Sequence, residues 1–415
     1  MNNGFKSTAE YQSVPNPYEV PLSHIDLSDH RIPNSGYQLD YYKRIRSEDP
    51  VHFIEDSKFG PYWSITTYKD LQEVENHPEI YSSDWENGGC LILDGMKLGF
   101  MAMDDPKHAQ QRMTLMPLMV PSNLHRMGEA VRERTREILK NIPRGKAIDW
   151  VEEVSLPLTT RMLAILLDFP FDEEKILPVW TEWSTDVDAG AHPIMGRRRR
   201  EILEDMGIRL RKMLEAKKSQ EPVGDVLSIL AHSEHMSDLS QEDFQGLMSL
   251  IVVGGNDTTR NSMTALVQCM EMFSSEFDKV RENLKLIPAA VQETIRWWSP
   301  VAHQRRTVVE DTVLDGKQLK KGDKVVLWFK SGNHDENMFP NPEEFNITRD
   351  NVRRHIAFGF GIHRCFGARL GELQVVILLE EILKMGLKIK MAEPALRSDT
   401  CMINGFENQM VIIEE

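Results

Sequence analysis

The stretch Phe358-Gly359-Phe360-Gly361-Ile362-His363-Arg364-Cys365-Phe366-Gly367 decides the fold, because it places one cysteine in a glycine-rich turn just before an apolar helix. Glycine permits positive φ and lets the backbone approach a bulky planar group. A cysteine at a helix start has its thiolate favoured by the helix dipole and by unpaired N–H groups. A thiolate is also an axial ligand that pushes electron density onto haem iron. A plain turn with a buried cysteine is the alternative, but the full pattern favours haem ligation.

These residues resemble the haem-binding sequence of the cytochrome P-450 superfamily, Phe-x-x-Gly-x-His/Arg-x-Cys-x-Gly. Every fixed position of that sequence is met, by Phe358, Gly361, His363, Cys365 and Gly367. The resemblance implies haem b as the cofactor, with Cys365 as the iron ligand and His363 in contact with a haem propionate. It also implies that the rest of the loop lines the cofactor, through Phe358, Gly359 and Gly367.

A second motif, Gly254-Gly255-Asn256-Asp257-Thr258-Thr259, lies inside a long apolar helix pattern. Each glycine in a helix interior costs about 1 kcal/mol relative to alanine, which suggests that the pair opens space beside the helix. An acid followed by two hydroxyls then makes a candidate proton relay, although a weakened core helix with a surface acid is the alternative. The resemblance implies that Thr258 lies on the oxygen-binding face of the haem and that Asp257 helps to deliver protons.

Two further motifs gain weight from their order along the chain. Glu293 and Arg296, at i and i+3, share a helix face and can pair. The resemblance gives this pair a structural role, joining the segment before the cysteine loop.

His108 and Arg112, at i and i+4, could hold one anion. The resemblance makes both of them propionate ligands. It adds Arg305 as a further one, with the neighbouring Arg306 leaving the register open.

Substrate-pocket positions also follow from the resemblance, and all of them are apolar or small. They are Leu250, Val253, Gly254, Val301, Met402 and Ile403. An apolar lining favours an apolar ligand, although each of these side chains could equally belong to the core. Segments 86–100 and 180–196 are expected to cover the pocket.

The length and composition of the chain indicate one large fold. The chain has 415 residues, of which 41% are hydrophobic, and no linker, repeat or low-complexity tract divides it, so we expect a single domain over residues 1–415. The formal net charge is 49 − 64 = −15, which argues against nucleic acid and anionic membranes as partners. No apolar run approaches the roughly 18 residues of a membrane span, and no signal peptide is visible. We expect a cytoplasmic protein without a membrane anchor.

Hydrophobic periodicity predicts an α+β protein that is predominantly α-helical. Helices are expected over residues 124–142, 151–167, 197–218, 241–270 and 368–385, hairpins at 51–66 and 314–317, and irregular chain over 332–367. The resemblance, which covers the chain from about Tyr41 onward, implies the cytochrome P-450 fold, a helical body with small β-sheets.

The activity implied is insertion of one oxygen atom of O₂ into a C–H bond of an apolar small molecule. Three stretches, 59–64, 253–262 and 358–365, look especially like the bacterial terminal alkane and fatty-acid hydroxylases of this superfamily. We therefore hypothesise hydroxylation of the terminal (ω) carbon of a medium-chain alkane or fatty acid, with a terpenoid as the alternative substrate. A non-catalytic haem sensor or electron carrier is the hypothesis of a different class, and a peroxide-driven enzyme is a further one. The Asp257–Thr258 pair argues against both.

No motif of a fused reductase is visible, so the electrons should come from a ferredoxin and its ferredoxin reductase. Arg353, Arg354 and Arg364 could form a basic docking patch for a small acidic partner. A second basic run at 197–200 is better explained as a solvated helix face.

Overall fold

The computed structural model describes residues 14–185 and 193–414. The N-terminal residues 1–13 and part of the expected pocket cover at 180–196 therefore lie outside the described residues. Within the described part, the α-helices in chain order are α1 Gln38–Glu48, α2 Tyr68–Asn76, α3 Lys107–Leu115, α4 Pro121–Asn141, α5 Leu156–Leu167, α6 Ile176–Thr185, α7 Pro193–Lys217, α8 Val226–Ala231, α9 Gln241–Met272, α10 Ser274–Glu282, α11 Ile287–Trp298, α12 Phe329–Asn333 and α13 Ala368–Lys384.

The strands form small sheets, as the α+β prediction requires. They are β1 Val51–Ile54, β2 Tyr62–Ile65, β3 Tyr81–Ser82, β4 Ala147–Asp149, β5 His303–Val308, β6 Thr312–Leu314, β7 Lys317–Leu319, β8 Lys324–Trp328, β9 Ile389–Met391, β10 Leu396–Arg397, β11 Phe406–Asn408 and β12 Met410–Ile413. The largest sheet has the order β1-β2-β8-β5-β3, in which β2 and β8 are parallel and the other pairs are antiparallel. Both predicted hairpins, β1–β2 and β6–β7, are confirmed.

The helix α9 runs through the middle of the helical body. It packs against α5, α6 and α7 on one side and against α11 and α13 on the other. Its start is set by Ser240, whose hydroxyl accepts a hydrogen bond from the Asp243 N–H, an N-cap that satisfies one of the free amides of the first turn. The predicted helices at 241–270 and 368–385 agree with α9 and α13 to within two residues at each end, and both predictions are confirmed.

One predicted helix differs in its first turns. The segment expected to be helical over 151–167 begins with a π-helical turn, Val151–Ser155, before α5. Pro157 lies two residues after this turn, and since proline lacks an N–H it cannot donate to the Glu153 carbonyl, the i to i−4 bond that a regular α-helix would have there. The wider turn accommodates that missing donor, while α5 itself extends to the predicted end at Leu167.

Candidate functional site

The loop around Cys365 is held by its own backbone. The Cys365 N–H donates to the Phe358 carbonyl at 2.7 Å, and a single 3₁₀ turn, Gly361–His363, lies inside the closed loop. Gly359 and Gly361 have φ of +69° and +61°, a left-handed backbone that glycine adopts without strain. The loop therefore delivers Cys365 three residues before α13 begins at Ala368.

The thiol of Cys365 is accessible, unlike those of Cys90, Cys269 and Cys401, which are buried. Protein around the sulfur nevertheless removes enough water to raise its pKa, and the N–H groups of Gly367 and Ala368 together with the Arg112 charge oppose that rise. Amides and a cation aimed at the sulfur are the groups that stabilise a thiolate. An accessible sulfur in this setting is suited to ligation of a metal.

Next to the thiol lies a cluster of basic groups, His108, Arg112 and His363, which we call the cation cluster after the permanent charge of Arg112. The two imidazole rings lie 4.4 Å apart between centroids. The Nε2 atoms of both histidines are buried and have no hydrogen-bond partner among the described residues. Burial and then the charge of Arg306 lower the pKa of His363 to about 2. Burial also lowers the pKa of His108.

The cation cluster fits a ligand that carries carboxylates. Two buried nitrogen atoms without partners are costly unless an acceptor or donor arrives to satisfy them. The Arg112 guanidinium donates to the Arg364 carbonyl at 2.6 Å, which ties α3 to the cysteine loop. The haem that the sequence implies bears two propionates and one iron. The cation cluster offers hydrogen-bond donors for the propionates, and Cys365 offers its sulfur for the iron.

Arg305 does not join the cation cluster. Its guanidinium pairs with Asp94 and donates to the Thr307 hydroxyl, and it lies so close to Gly88 that a Cβ there would be 2.2 Å from Nη2. Arg306 points to the opposite face of β5, because successive side chains of a strand alternate. The charge of Arg306 lowers the pKa of His363. Of the two neighbouring arginines that the sequence left open, Arg306 is therefore the one that acts on the cation cluster.

The second face of the site belongs to α9. Leu250, Val253, Gly254 and Thr258 follow one another at i, i+3, i+4 and i+8 on one face of the helix, and all four are partly or fully accessible. A Cβ on Gly254 would meet nothing within 4 Å. The Thr258 hydroxyl donates to the Gly254 carbonyl at 3.3 Å. The glycine therefore leaves open space on the face that carries the hydroxyl.

Asp257 points away from that face. Its carboxylate is buried and pairs with Arg260, with the Asn261 amide at 3.5 Å. No hydrogen bond joins it to Thr258 within the described part of the chain. Asn256, which sequence reasoning passed over, is also buried, and its amide donates to the Thr181 hydroxyl at 2.9 Å and accepts from Thr159. These contacts fix α9 against α5 and α6.

The remaining predicted pocket residues meet in a turn next to β5. Val301 and Ile403 form an antiparallel bridge, and the Ala302 N–H donates to the Met402 carbonyl at 2.9 Å. Val301, Met402 and Ile403 are all partly exposed. The structure thus brings Val301 next to Met402 and Ile403, which lie about a hundred positions further along the sequence.

Glu293 and Arg296 form a pair from which water is fully excluded. Two hydrogen bonds of 2.7 and 2.8 Å join them, and both side chains are 0% exposed. The Arg296 guanidinium also donates to the Asn333 carbonyl at 2.7 Å, and Glu293 accepts from the Asn346 N–H at 2.9 Å. The pair therefore connects α11 to α12 and to the irregular segment that precedes the cysteine loop.

Comparison with known proteins identifies relatives of nearly full length. The family model described as Cytochrome P450 matches residues 275–386. Linalool 8-monooxygenase from Pseudomonas putida is 32% identical over 94% of this chain and 98% of its own length. The solved structures of cytochrome P450-153 from Novosphingobium aromaticivorans and of CYP153D17 from Sphingomonas sp. PAMC 26605 are 37% and 38% identical, with TM-scores of 0.88 and 0.89. Each covers 94% of this chain and 99% of the other.

None of the helices in the described ranges combines the length and the apolar character that crossing a membrane requires.

Proposed function

Since the chain belongs to the cytochrome P450 superfamily and is a haem-dependent monooxygenase, we propose that it hydroxylates the terminal carbon of a medium-chain alkane or fatty acid. The observation that carries this proposal is the accessible face of α9. Leu250, Val253 and Gly254 give it an apolar surface, to which Thr258 adds a hydroxyl. An apolar wall with few polar groups favours a substrate that presents only C–H bonds at its reacting end.

The residues that would hold haem b are Cys365 for the iron and the cation cluster, with Arg306, for the propionates. Haem bound through a thiolate supplies the activation of O₂ that places one oxygen atom in a C–H bond and releases the other as water. The loop residues Phe358, Gly359 and Gly367 would line the cofactor. The chain itself contributes binding, orientation and exclusion of water.

Proton delivery is the task proposed for Thr258 and Asp257. The Thr258 hydroxyl lies on the accessible face and holds its proton toward the Gly254 carbonyl. The Asp257 carboxylate is engaged by Arg260 on the neighbouring face. Passing a proton from Asp257 toward Thr258 therefore requires the carboxylate to leave Arg260, so that the relay would open only when that ion pair breaks.

The reduced, carbon monoxide-bound absorption spectrum tests thiolate ligation directly. The protein should give the thiolate-type spectrum, and Cys365→Ala should lose it. Substrate class is tested by a spin-shift titration of the haem protein with octane, dodecanoate and limonene. We expect a response to a linear ligand, and no response to octane or dodecanoate would contradict the proposal.

A terpenoid is the second candidate substrate. A relative that acts on linalool is 32% identical along almost the whole chain, and linalool carries its methyl groups on a short branched skeleton. Limonene in the same titration represents this class. Response to limonene alone would favour the terpenoid and overturn the linear substrate.

Ferredoxin is the electron donor we propose. Arg353, Arg354 and Arg364 are exposed on the segment that leads to and includes the cysteine loop, where a small acidic protein would approach Cys365. The double variant Arg353→Glu/Arg354→Glu should lower the rate of ferredoxin-driven turnover, most strongly at low salt. Arg197→Glu/Arg200→Glu, two exposed arginines on α7, is the matched control. Equal loss in both would contradict a specific patch, and faster product formation with hydrogen peroxide than with ferredoxin would contradict this donor.

A further inference from the structure

A buried acid, Glu75, contacts the cysteine loop and β5 at the same time. It belongs to the last turn of α2, where its side chain is 2% exposed. One carboxylate oxygen accepts from the Arg306 guanidinium at 3.1 Å, and the other accepts from the Phe360 N–H. A single side chain thus joins three elements that are far apart in the sequence.

The contacts to the loop extend beyond that one hydrogen bond. A Cβ on Gly361 would lie 2.2 Å from the Glu75 carbonyl oxygen, and a Cβ on Gly359 would lie 3.5 Å from the carboxylate. Three consecutive loop residues, 359–361, therefore pack directly on Glu75. On the other side the same loop is closed by the hydrogen bond from Cys365 to Phe358.

The guanidinium of Arg306 is held in one orientation. Besides Glu75, it donates to the Arg305 carbonyl at 2.7 Å, and its side chain is 2% exposed. Its charge lowers the pKa of His363 in the cation cluster. Glu75 is the carboxylate that pairs with this cation, so the position of the Arg306 charge next to the haem site depends on it.

We propose that Glu75 is a positioning residue for the haem, which acts by fixing the Arg306 charge and the backbone of the cysteine loop relative to one another. This inference rests on haem binding at Cys365, as proposed above. A carboxylate behind Arg306 offsets part of the positive charge that the haem would otherwise experience, and so it favours the oxidised, more positive iron. Burial raises the pKa of Glu75 to about 7, against the opposing effects of Arg306 and the Phe360 N–H.

The test is the reduction potential of the purified haem protein, measured by spectroelectrochemical titration at about pH 8.5, where the carboxylate is charged. Glu75→Gln keeps the volume of the side chain and an oxygen for Phe360 but removes the charge. We expect the potential of this variant to shift to a more positive value. The same substitution in an Arg306→Gln background should cause a much smaller shift in potential. The proposal has Glu75 act through the Arg306 charge, and this background lacks that charge.

Glu381→Gln is the matched control. Glu381 is likewise a buried carboxylate paired with arginines, Arg132 and Arg136, but it lies near the far end of α13. Its substitution should leave the potential unchanged. Equal shifts in Glu75→Gln and Glu381→Gln, or no shift in either, would overturn the proposal.

Glu75→Asp keeps the test decisive if Glu75→Gln loses its haem. Aspartate restores the charge but not the volume, so a positioning role through Arg306 predicts recovery of haem binding, and a packing role predicts none. Recovery supports the proposal, and its absence contradicts it. If the unmodified protein lacks the thiolate-type spectrum, the haem site itself fails, which is a result distinct from failure of Glu75 alone.

Discussion

The carboxylate of Glu293 and the guanidinium of Arg296 form two hydrogen bonds at a position where neither side chain has any exposed surface. A buried ion pair of this kind is only weakly stabilising as a pair, but removal of one partner leaves a charge in a low-dielectric interior. Arg296 also satisfies the Asn333 carbonyl at the end of α12. Loss of Arg296 therefore costs more than the ion pair alone.

Arg296→Ala should lower the free energy of unfolding by about 3–5 kcal/mol, measured by urea denaturation followed by circular dichroism. The matched control is Arg281→Ala, because Arg281 pairs with Asp278 at the same i, i+3 spacing on an exposed surface. The control should change the stability little, since exposed ion pairs are screened by water and salt. Equal losses in both variants would contradict the role of burial.

Gly361 is the loop glycine with the least room for a side chain. Its φ is +61°, and a Cβ would lie 2.2 Å from the backbone carbonyl of Glu75. Gly361→Ala should lose haem on gel filtration and destabilise the protein by more than the roughly 1 kcal/mol that a left-handed backbone alone costs. Gly316→Ala is the control, since Gly316 has a φ of +76° with nothing within 4 Å. Similar behaviour of the two variants would show that strain, rather than the contact with α2, governs the loop.

The sequence predicted the elements whose signals are local. The hairpins and the long helix α9 follow from turn residues and periodicity, and the cysteine loop follows from glycines placed within ten residues of one another. The π-helical turn at Val151–Ser155 was not predicted, because periodicity does not distinguish a widened turn from a regular one. The effect of Pro157 on that turn becomes evident only in the structure.

The parts of the site that could not be predicted depend on long-range contacts. Glu75 lies 231 residues from Arg306 and 285 from Phe360 in the sequence, so nothing near Glu75 marks it as part of the site. The choice between Arg305 and Arg306 is a question of strand register, and a shift of one residue turns a side chain to the opposite face. The register of β5 against β8 and the contact of Arg306 with Glu75, which also binds the Phe360 N–H, become evident only in the structure.

His303 is expected to make the free energy of unfolding depend on pH. Burial lowers its pKa to about 4, and its Nδ1 lies 3.0 Å from the Cys401 carbonyl. Since the folded pKa is below the unfolded value of 6.5, the stability from neutral His303 is fully present above pH 6.5 and is lost as the pH falls toward 4.

The loss can reach about 3 kcal/mol, because each pKa unit corresponds to about 1.4 kcal/mol. Urea midpoints measured between about pH 7.5 and pH 4.5 should fall less steeply in His303→Gln than in the unmodified protein. His235→Gln, at an exposed position, should retain the full slope. An unchanged slope in His303→Gln would show that His303 does not contribute to this loss of stability.

Thr258 and Thr259 are neighbours that face different parts of the molecule, which makes them a matched pair. The Thr258 hydroxyl lies on the accessible face of α9, bonded to the Gly254 carbonyl. Thr259 is buried, and its hydroxyl lies 3.5 Å from the position that a Cβ on Gly371 of α13 would take. Of these two threonines, Thr258 is therefore the one that we propose for proton exchange with the substrate side, because the Thr259 side chain is buried.

Thr258→Ala should therefore continue to consume electrons while product falls, on the order of tenfold or more, and hydrogen peroxide rises by a matching amount. Product, NAD(P)H consumption and peroxide are measured in one reaction with ferredoxin and its reductase. Thr259→Ala removes the same hydroxyl and methyl groups but should retain the coupling of electrons to product. If Thr258→Ala stays tightly coupled, or if both variants uncouple alike, proton delivery does not depend on the Thr258 hydroxyl, and the accessible face of α9 serves to shape the pocket alone.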